Sequence, residues 1–357
     1  MINKLTVLKK FWKNKKVFLT GHTGFKGGWL TIFLNLLGAK VSGYSLKPHK
    51  SLSLYKLANL DNEIHSSTFA DIRDYKKLKK SIIKFSPDFV IHMAAQPLVR
   101  FSYNQPKLTH DVNIMGTVNI LNILLEINFV KSALIVTSDK VYSEKNNKNF
   151  KENDRLGGLD PYSASKSCAE IITNSYNQSF FRKKNISVAT ARAGNVIGGG
   201  DFSDDRIIPD FFRSLQNKKK IILRYPNSIR PWQYILDPLY GYLLLLMKIH
   251  KKKIFSENSW NFGPKKSNNK SVITLINLIN KEFNNSVEII KQNTSNLNYH
   301  ESKKLTLNSS KSKKILNWKA RYNLKDSAKL ISLWYKKFKE KKNILKVTQN
   351  QIINYFN

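Results

Sequence analysis

At 357 residues, 41% of them hydrophobic, the chain can bury a sizeable core and exceeds the usual single-domain size, so one large α/β unit with a second lobe is expected. A formal charge of +37 raises nucleic-acid binding, yet only ten of the 61 basic residues are arginine and the lysines lie scattered among abundant asparagine and isoleucine, the pattern of a Lys/Asn/Ile-biased genome acting on surface positions; the excess charge still favours anionic substrates through a field that salt screens. One cysteine, Cys168, excludes an internal disulfide framework, suits a reducing cytoplasm and reads as a small core residue, and with no apolar leader and no run of about twenty apolar residues neither an export signal nor a membrane span is expected.

In chain order, residues 16–20 form a short apolar β run ending in the loop Gly21-His22-Thr23-Gly24-Phe25-Lys26-Gly27-Gly28. A helix is expected over 29–37, stopped by Gly38. Glycines at 21, 24 and 27 close the turn, admit a pyrophosphate to the backbone and let the helix pack on its strand, with the anion on the amides of the helix N-terminus. The second strand, 39–47, ends without the carboxylate that would bind a ribose 2′-hydroxyl. Lys47 or His49 would read a 2′-phosphate or simply be solvated, so these residues leave NAD and NADP both open.

Further on, 88–93 and 132–137 are apolar runs of the kind buried on both faces, 185–191 is a more alternating third candidate, and helical patterns at 112–127 and 164–178 separate them. This β-α-β rhythm predicts a Rossmann-type, doubly wound parallel sheet. After Gly194 the rhythm loosens into loops between Gly198 and Trp232, the run 239–247 is short enough for a buried helix, and the chain returns to the sheet at 260–262. The expected division is a dinucleotide-binding domain over 1–194 with returning segments near 236–263, and a smaller, mainly C-terminal substrate lobe over 195–357. Thr348 and Gln351, spaced as a capping box, predict a closing helix.

Tyr162 and Lys166 in PYSASK are the pair that carries chemistry. Four residues apart on a helix, they share a face, and an adjacent ammonium lowers a phenol's pKa so that it can take a proton from a hydroxyl while hydride leaves the same carbon.

The glycine loop, Asp71-Ile72, His92-Met93-Ala94-Ala95, Asn113-Ile114-Met115-Gly116-Thr117 and Tyr162 with Lys166, in this order, resemble the extended short-chain dehydrogenase/reductase superfamily and its NAD-dependent epimerase/dehydratase family over nearly the whole chain. Within it GHTGFKG, AAQPLVRFSY from Ala94, TSDKVY from Thr137, ARAGNVIGGGD from Ala191 and RPWQYILDP from Arg230 look like the CDP-glucose branch of the nucleotide-sugar 4,6-dehydratases. The resemblance implies NAD held by Gly21, Thr23, Gly24, Phe25 and Gly27, with Asp71 and Ile72 flanking adenine, Ala94 and Ala95 lining the cleft, and Lys166 on the nicotinamide ribose as well as beside Tyr162. It implies C4 oxidation at Tyr162 and Ser138, water loss across C5–C6 with Asp139 as general acid, and hydride return to C6. Lys140 stands where the dTDP-glucose branch carries glutamate, which favours the CDP-glucose branch and leaves the C5 base open. For the substrate end it implies Gln96, Arg100, Asn195, Arg206 and Arg230, guanidinium groups being suited to a diphosphate. The implied partner is a nucleotide sugar, not nucleic acid or membrane, and the implied setting a cytoplasmic homodimer formed through helices 112–127 and 164–178, in deoxysugar supply such as that for lipopolysaccharide O-antigen. The same helices would otherwise simply pack on the sheet. Two competing readings remain: a sister dTDP-, GDP- or UDP-sugar dehydratase or epimerase, and a non-catalytic basic RNA-binding relative, against which the intact Ser138, Tyr162 and Lys166 argue.

Overall fold

A computed structural model describes residues 4–48, 52–143, 149–252, 258–292 and 305–357. Seven strands form the central sheet: β1 (Lys16–Thr20), β2 (Lys40–Ser45), β3 (Ser66–Phe69), β4 (Phe89–His92), β5 (Ser132–Val136), β6 (Ser187–Arg192) and β7 (Ser259–Asn261). Their order is β7-β6-β5-β4-β1-β2-β3, and every pairing is parallel. Along β1 the side chains alternate between two cores: Val17 and Leu19 join the larger cluster on one face, Phe18 the smaller on the other. The strand order reverses between β1 and β4, so a crevice opens beyond their carboxyl ends, where Thr20 is in register with both Tyr44 and His92.

The helices are α1 (Lys4–Trp12), α2 (Phe25–Leu36), α3 (Tyr75–Phe85), α4 (Gly116–Glu126), α5 (Pro161–Tyr176), α6 (Ile207–Gln216), α7 (Leu236–Lys252), α8 (Val272–Lys281), α9 (Leu324–Lys339) and α10 (Ile344–Asn354), besides shorter turns. None of the described helices is long and apolar enough to cross a membrane. Between β6 and the C-terminus, small strand pairs stand apart from the main sheet: Ile221–Leu223 with Ile289–Lys291, Ile229–Pro231 with Asn269–Ser271, and Val196–Ile197 with Gln233–Tyr234.

Four expectations are corrected. The first helix begins at Phe25 rather than at residue 29, because Gly24 serves as its N-cap and Gly27 and Gly28 lie in its first turn. The helix expected over 112–127 opens with a wider π turn, Asp111–Met115, before α4 starts. Thr348 and Gln351 do not form a capping box: Asn343 caps α10 by accepting from the Lys346 amide, Thr348 lies between the Ile344 carbonyl and Trp334, and Gln351 bridges Tyr234 and the Leu330 carbonyl. Cys168 is half-buried rather than a core residue.

Candidate active site

The loop after β1 owes its shape to close backbone approaches. Gly21 has φ +78°, donates to the Tyr44 carbonyl, and has no room for a side chain, since a Cβ would lie 2.8 Å from the Ala94 nitrogen. At Gly27 a Cβ would fall 2.1 Å from the Gly21 carbonyl oxygen, so only glycine lets α2 begin this close to the turn. Gly24 is different: a Cβ there would meet nothing nearer than 3.4 Å, and no side chain caps α2. The mouth of the loop is therefore open beside the first-turn amides, the arrangement that receives an anion.

Around this mouth the polar side chains are tied to one another. Thr23 shares a hydrogen bond with the Ser45 hydroxyl (2.8 Å) and donates to the Leu46 carbonyl, while Phe25 closes on Gly198. His22 contacts Ser67 through Nε2 at 2.7 Å, and burial lowers its pKa to about 4, so it is neutral at physiological pH. The Ala94 amide donates to Thr20 Oγ1 at 3.1 Å, with Ala95 next in the chain. Asp71 forms a surface pair with Arg73 (2.7 Å), whose hydrogen bonds hold the carboxyl below its usual range, and buried Ile72 occupies the space that a side chain on Gly116 would need. Lys47 is exposed, and His49 lies outside the described residues.

Tyr162 enters the crevice from the first turn of α5, which Asp160 caps by accepting from the Ser163 amide, with Pro161 in the opening helical position. Its phenol is buried and hydrogen-bonded with Ser138. Ser138 in turn donates to Asp139 Oδ1 at 3.1 Å and accepts from the Lys140 amide, and Asn195 Nδ2 donates to Asp139 Oδ2 at 3.3 Å. These groups follow the ends of β5 and β6, and the Asp139 carboxyl lies directly on the Cα of Gly194.

The expected depression of Tyr162 by Lys166 is corrected. Burial pushes the phenol up to about 12; the Ser138 hydrogen bond and Arg206 oppose it, while Asp139 and Asp160 reinforce it. The Lys166 ammonium instead donates to the Val136 carbonyl at 3.3 Å. Burial lowers Lys166 to about 8, Lys26 acting in the same sense and Glu170 against it.

Of the residues expected at the substrate end, Arg206 approaches the cluster: it caps α6 by position, pairs with Asp201 at 3.0 Å and acts on both Tyr162 and Lys26. Asn195, in the left-handed region at φ 48°, is engaged by Asp139. Arg100 stands 3.6 Å from Asp205, and Arg230, on the strand Ile229–Pro231, donates to the Ile229 carbonyl. The Gln96 amide is used within its own loop, donating to the Leu98 carbonyl and Thr109 and accepting from the Leu98 amide.

A family model described as GDP-mannose 4,6 dehydratase matches residues 18–331. A CDP-glucose 4,6-dehydratase of Salmonella typhimurium is 39% identical over 353 residues, covering 97% of this chain and 98% of its own. The chain belongs to this nucleotide-sugar 4,6-dehydratase family. The fold of this family member is shared with an epimerase from Methanothermobacter thermautotrophicus (TM-score 0.80, 20% identity, 94% of this chain and 97% of that one). It is shared also with a dTDP-glucose 4,6-dehydratase from Bacillus anthracis in complex with NAD (TM-score 0.75, 19% identity, 93% of this chain and 99% of that one).

Two features of the family member's site escape the sequence reading. Lys26 is half-buried, and desolvation lowers its ammonium to about 8, with Arg206 acting the same way and Asp139 and Asp201 opposing; its glycine-loop context marks it as backbone scaffolding and hides this placement. The second is a buried Glu170–Arg192 pair behind the site. Glu170 lies four residues beyond Lys166, so the helical face was available as a signal, but its partner comes from β6.

Proposed function

We propose that the protein is a CDP-glucose 4,6-dehydratase, converting CDP-D-glucose to CDP-4-keto-6-deoxy-D-glucose. The observation that carries this reading is 39% identity over nearly the full length to an enzyme of that name. The open mouth of the glycine loop at Gly24 fits the pyrophosphate of NAD, with Gly21, Thr23, Gly24, Phe25, Gly27, Ala94 and Ala95 as the residues that would hold it. When bound, NAD supplies the acceptor for the C4 hydride and the donor that returns it to C6.

The residues divide the remaining work. Tyr162, in contact with Ser138, takes the 4-hydroxyl proton after releasing its own to solvent, an ionisation that the positive charge of bound NAD and of Lys166 would favour against burial, and Ser138 orients that hydroxyl. Asp139, buried and bonded to Ser138 and Asn195, donates the proton that leaves with the 6-hydroxyl. Lys140 stands beside it, where its ammonium would stabilise the enolate left as the C5 proton passes to water. Lys166 holds positive charge at the cofactor side, and Arg206, with Arg100 and Arg230 farther out in the lobe, supplies cations for the diphosphate. We place the reaction in the cytoplasm, in a homodimer in which a second copy covers exposed Met115 beside α4 and Ile171 on α5, and in deoxysugar supply of the kind that lipopolysaccharide O-antigens draw on.

The test is incubation with CDP-, dTDP-, GDP- and UDP-glucose in the presence of NAD, reading the alkali absorbance of a 4-keto-6-deoxy product. A product with CDP-glucose alone is expected. No product with any sugar removes the reading, and a preference for another nucleotide reassigns the substrate.

A further inference from the structure

The turn that carries Ser138, Asp139 and Lys140 is gripped on both flanks by one buried ion pair, and we infer that Glu170 and Arg192 are positioning residues for the dehydration half of the reaction. The inference rests on the dehydratase reading above.

Glu170 sits on α5 one turn beyond Lys166 and two beyond Tyr162, so the three share a helix face. Its carboxylate and the Arg192 guanidinium are 1% and 2% exposed and meet in a two-pronged contact, Nε to Oε1 at 3.0 Å and Nη2 to Oε2 at 2.8 Å. From this pair one arm reaches each end of the turn. Glu170 Oε1 accepts from Thr137, the residue before Ser138, at 2.5 Å. Arg192 Nη1 donates to the Tyr142 hydroxyl, two residues after Lys140, at 2.7 Å, and to the Glu152 carbonyl at 2.9 Å. Glu170 Oε2 also accepts from Thr190 on β6 (2.6 Å) and Ser259 on β7 (3.1 Å), which fixes the pair relative to the sheet. Arg192 lies two residues before Gly194, whose Cα is the floor beneath the Asp139 carboxyl.

A fully buried ion pair is a weak source of stability, because desolvation offsets much of its attraction. What it provides that an apolar pair of the same volume would not is direction. Each oxygen and each N–H accepts or donates along a fixed line, so the helix bearing Tyr162, the turn bearing Asp139 and the strand β6 that leads to Asn195 are held in one mutual orientation. Neither residue touches a reacting atom, and Tyr162 is reached only through its helix. Ser138, on the same turn, is also held from the far side by Tyr162, whereas among the described residues Asp139 and Lys140 have no such tie to the helix, so loosening the pair affects water loss more than C4 oxidation.

Tyr142→Phe and Thr137→Val each remove one arm without stranding a buried charge; Glu170→Gln disrupts the pair itself. With CDP-glucose and NAD, each arm variant is expected to lower kcat by roughly 10- to 100-fold, the cost of a displacement of about an ångström, with KM little changed, whereas Glu170→Gln also removes a charge that sustains the Lys166 ammonium and slows oxidation as well. Reduced cofactor should accumulate during turnover of the arm variants, since oxidation proceeds while elimination stalls, and Thr137→Ser should restore the wild-type rate. If the arm variants turn over at the wild-type rate in their folded fraction, whatever their melting temperatures, or if oxidation and elimination fall together, the pair is core structure and the inference is overturned. Should Glu170→Gln not fold, the two arm variants decide. An inactive wild-type protein removes the dehydratase reading and this inference with it, whereas an active wild type with unaffected variants removes only the inference.

Discussion

Replacing Gly194 with alanine tests how tightly Asp139 is seated. An ideal Cβ on Gly194 falls 1.9 Å from Asp139 Cγ and Oδ2 and 2.2 Å from Oδ1, and its backbone is outside the left-handed region, so alanine introduces collision without backbone strain. Ordinary contact requires 3.4 Å or more, so the carboxyl must retreat by roughly 1.5 Å from its present 1.9 Å. A retreat of that size exceeds what the Ser138 contact at 3.1 Å and the Asn195 contact at 3.3 Å can follow, and Asp139 loses the aim at the departing hydroxyl that we propose for it. Displacement of a catalytic group by about 1 Å costs on the order of 10² in rate, equivalent to about 2.7 kcal/mol in the barrier. Gly194→Ala should therefore form the 4-keto-6-deoxy product about 100-fold more slowly while binding CDP-glucose with unchanged affinity and still oxidising C4. Product absorbance in alkali, calorimetric binding and the appearance of reduced cofactor in a single turnover measure the three quantities. A folded variant with a rate within about twofold of wild type would refute the reasoning, because Asp139 would then be tolerant of its seat.

Tyr162→Phe keeps the buried ring but removes the phenol that bonds to Ser138, so turnover should fall by roughly 10²- to 10⁴-fold with the melting temperature nearly unchanged; steady-state rates near wild type would remove Tyr162 from the proton transfer. At Gly43 a Cβ would lie 2.4 Å from the His22 ring, so Gly43→Ala should cost about 1–3 kcal/mol by overpacking, most of it recovered in a His22→Ala background. Urea unfolding of the four proteins gives the coupling, and strictly additive losses would contradict the contact. Burial pushes the Asp237 carboxyl up to about 7, against the Arg321 amide and Tyr355 hydroxyl that bond to it, whereas in the unfolded chain it titrates near 3.9. The folded state thus keeps a proton that the unfolded chain releases, so this contribution is fully present below about pH 4 and lost as pH rises to about 7, by at most about 4 kcal/mol. Asp237→Asn should flatten that window relative to wild type; an identical slope in both proteins would exclude Asp237 as its source.

The features legible in the sequence are those whose cause is local. Residues 16–20 read as a strand because each apolar side chain is needed where it stands, and the pattern ends at a glycine that the next turn requires. Features fixed by a distant partner stayed hidden. The start of α2 depends on the Gly21 carbonyl pressing on Gly27, and Thr348 and Gln351 look like caps until Trp334 and Tyr234 claim them. The Tyr162–Lys166 spacing gave the shared face correctly, but the sign of the shift on Tyr162 follows from burial and from Lys166 finding the Val136 carbonyl on another element.

The stripe on α5 shows why two residues of a motif do not fix its electrostatics. Tyr162, Lys166 and Glu170 recur at four-residue intervals, and the middle member is set by what lies on either side of it: burial and Lys26 lower it, while Glu170 raises it. Glu170 does so although its charge is already compensated by Arg192, which together with hydrogen bonds from Thr137 and Thr190 overcomes burial and holds the carboxyl below its usual range. Neutralising Glu170 would leave Lys26 and burial unopposed and shift Lys166 further toward the uncharged amine. The Lys166 ammonium is thus sustained from the core, through a residue whose side chain is 1% exposed.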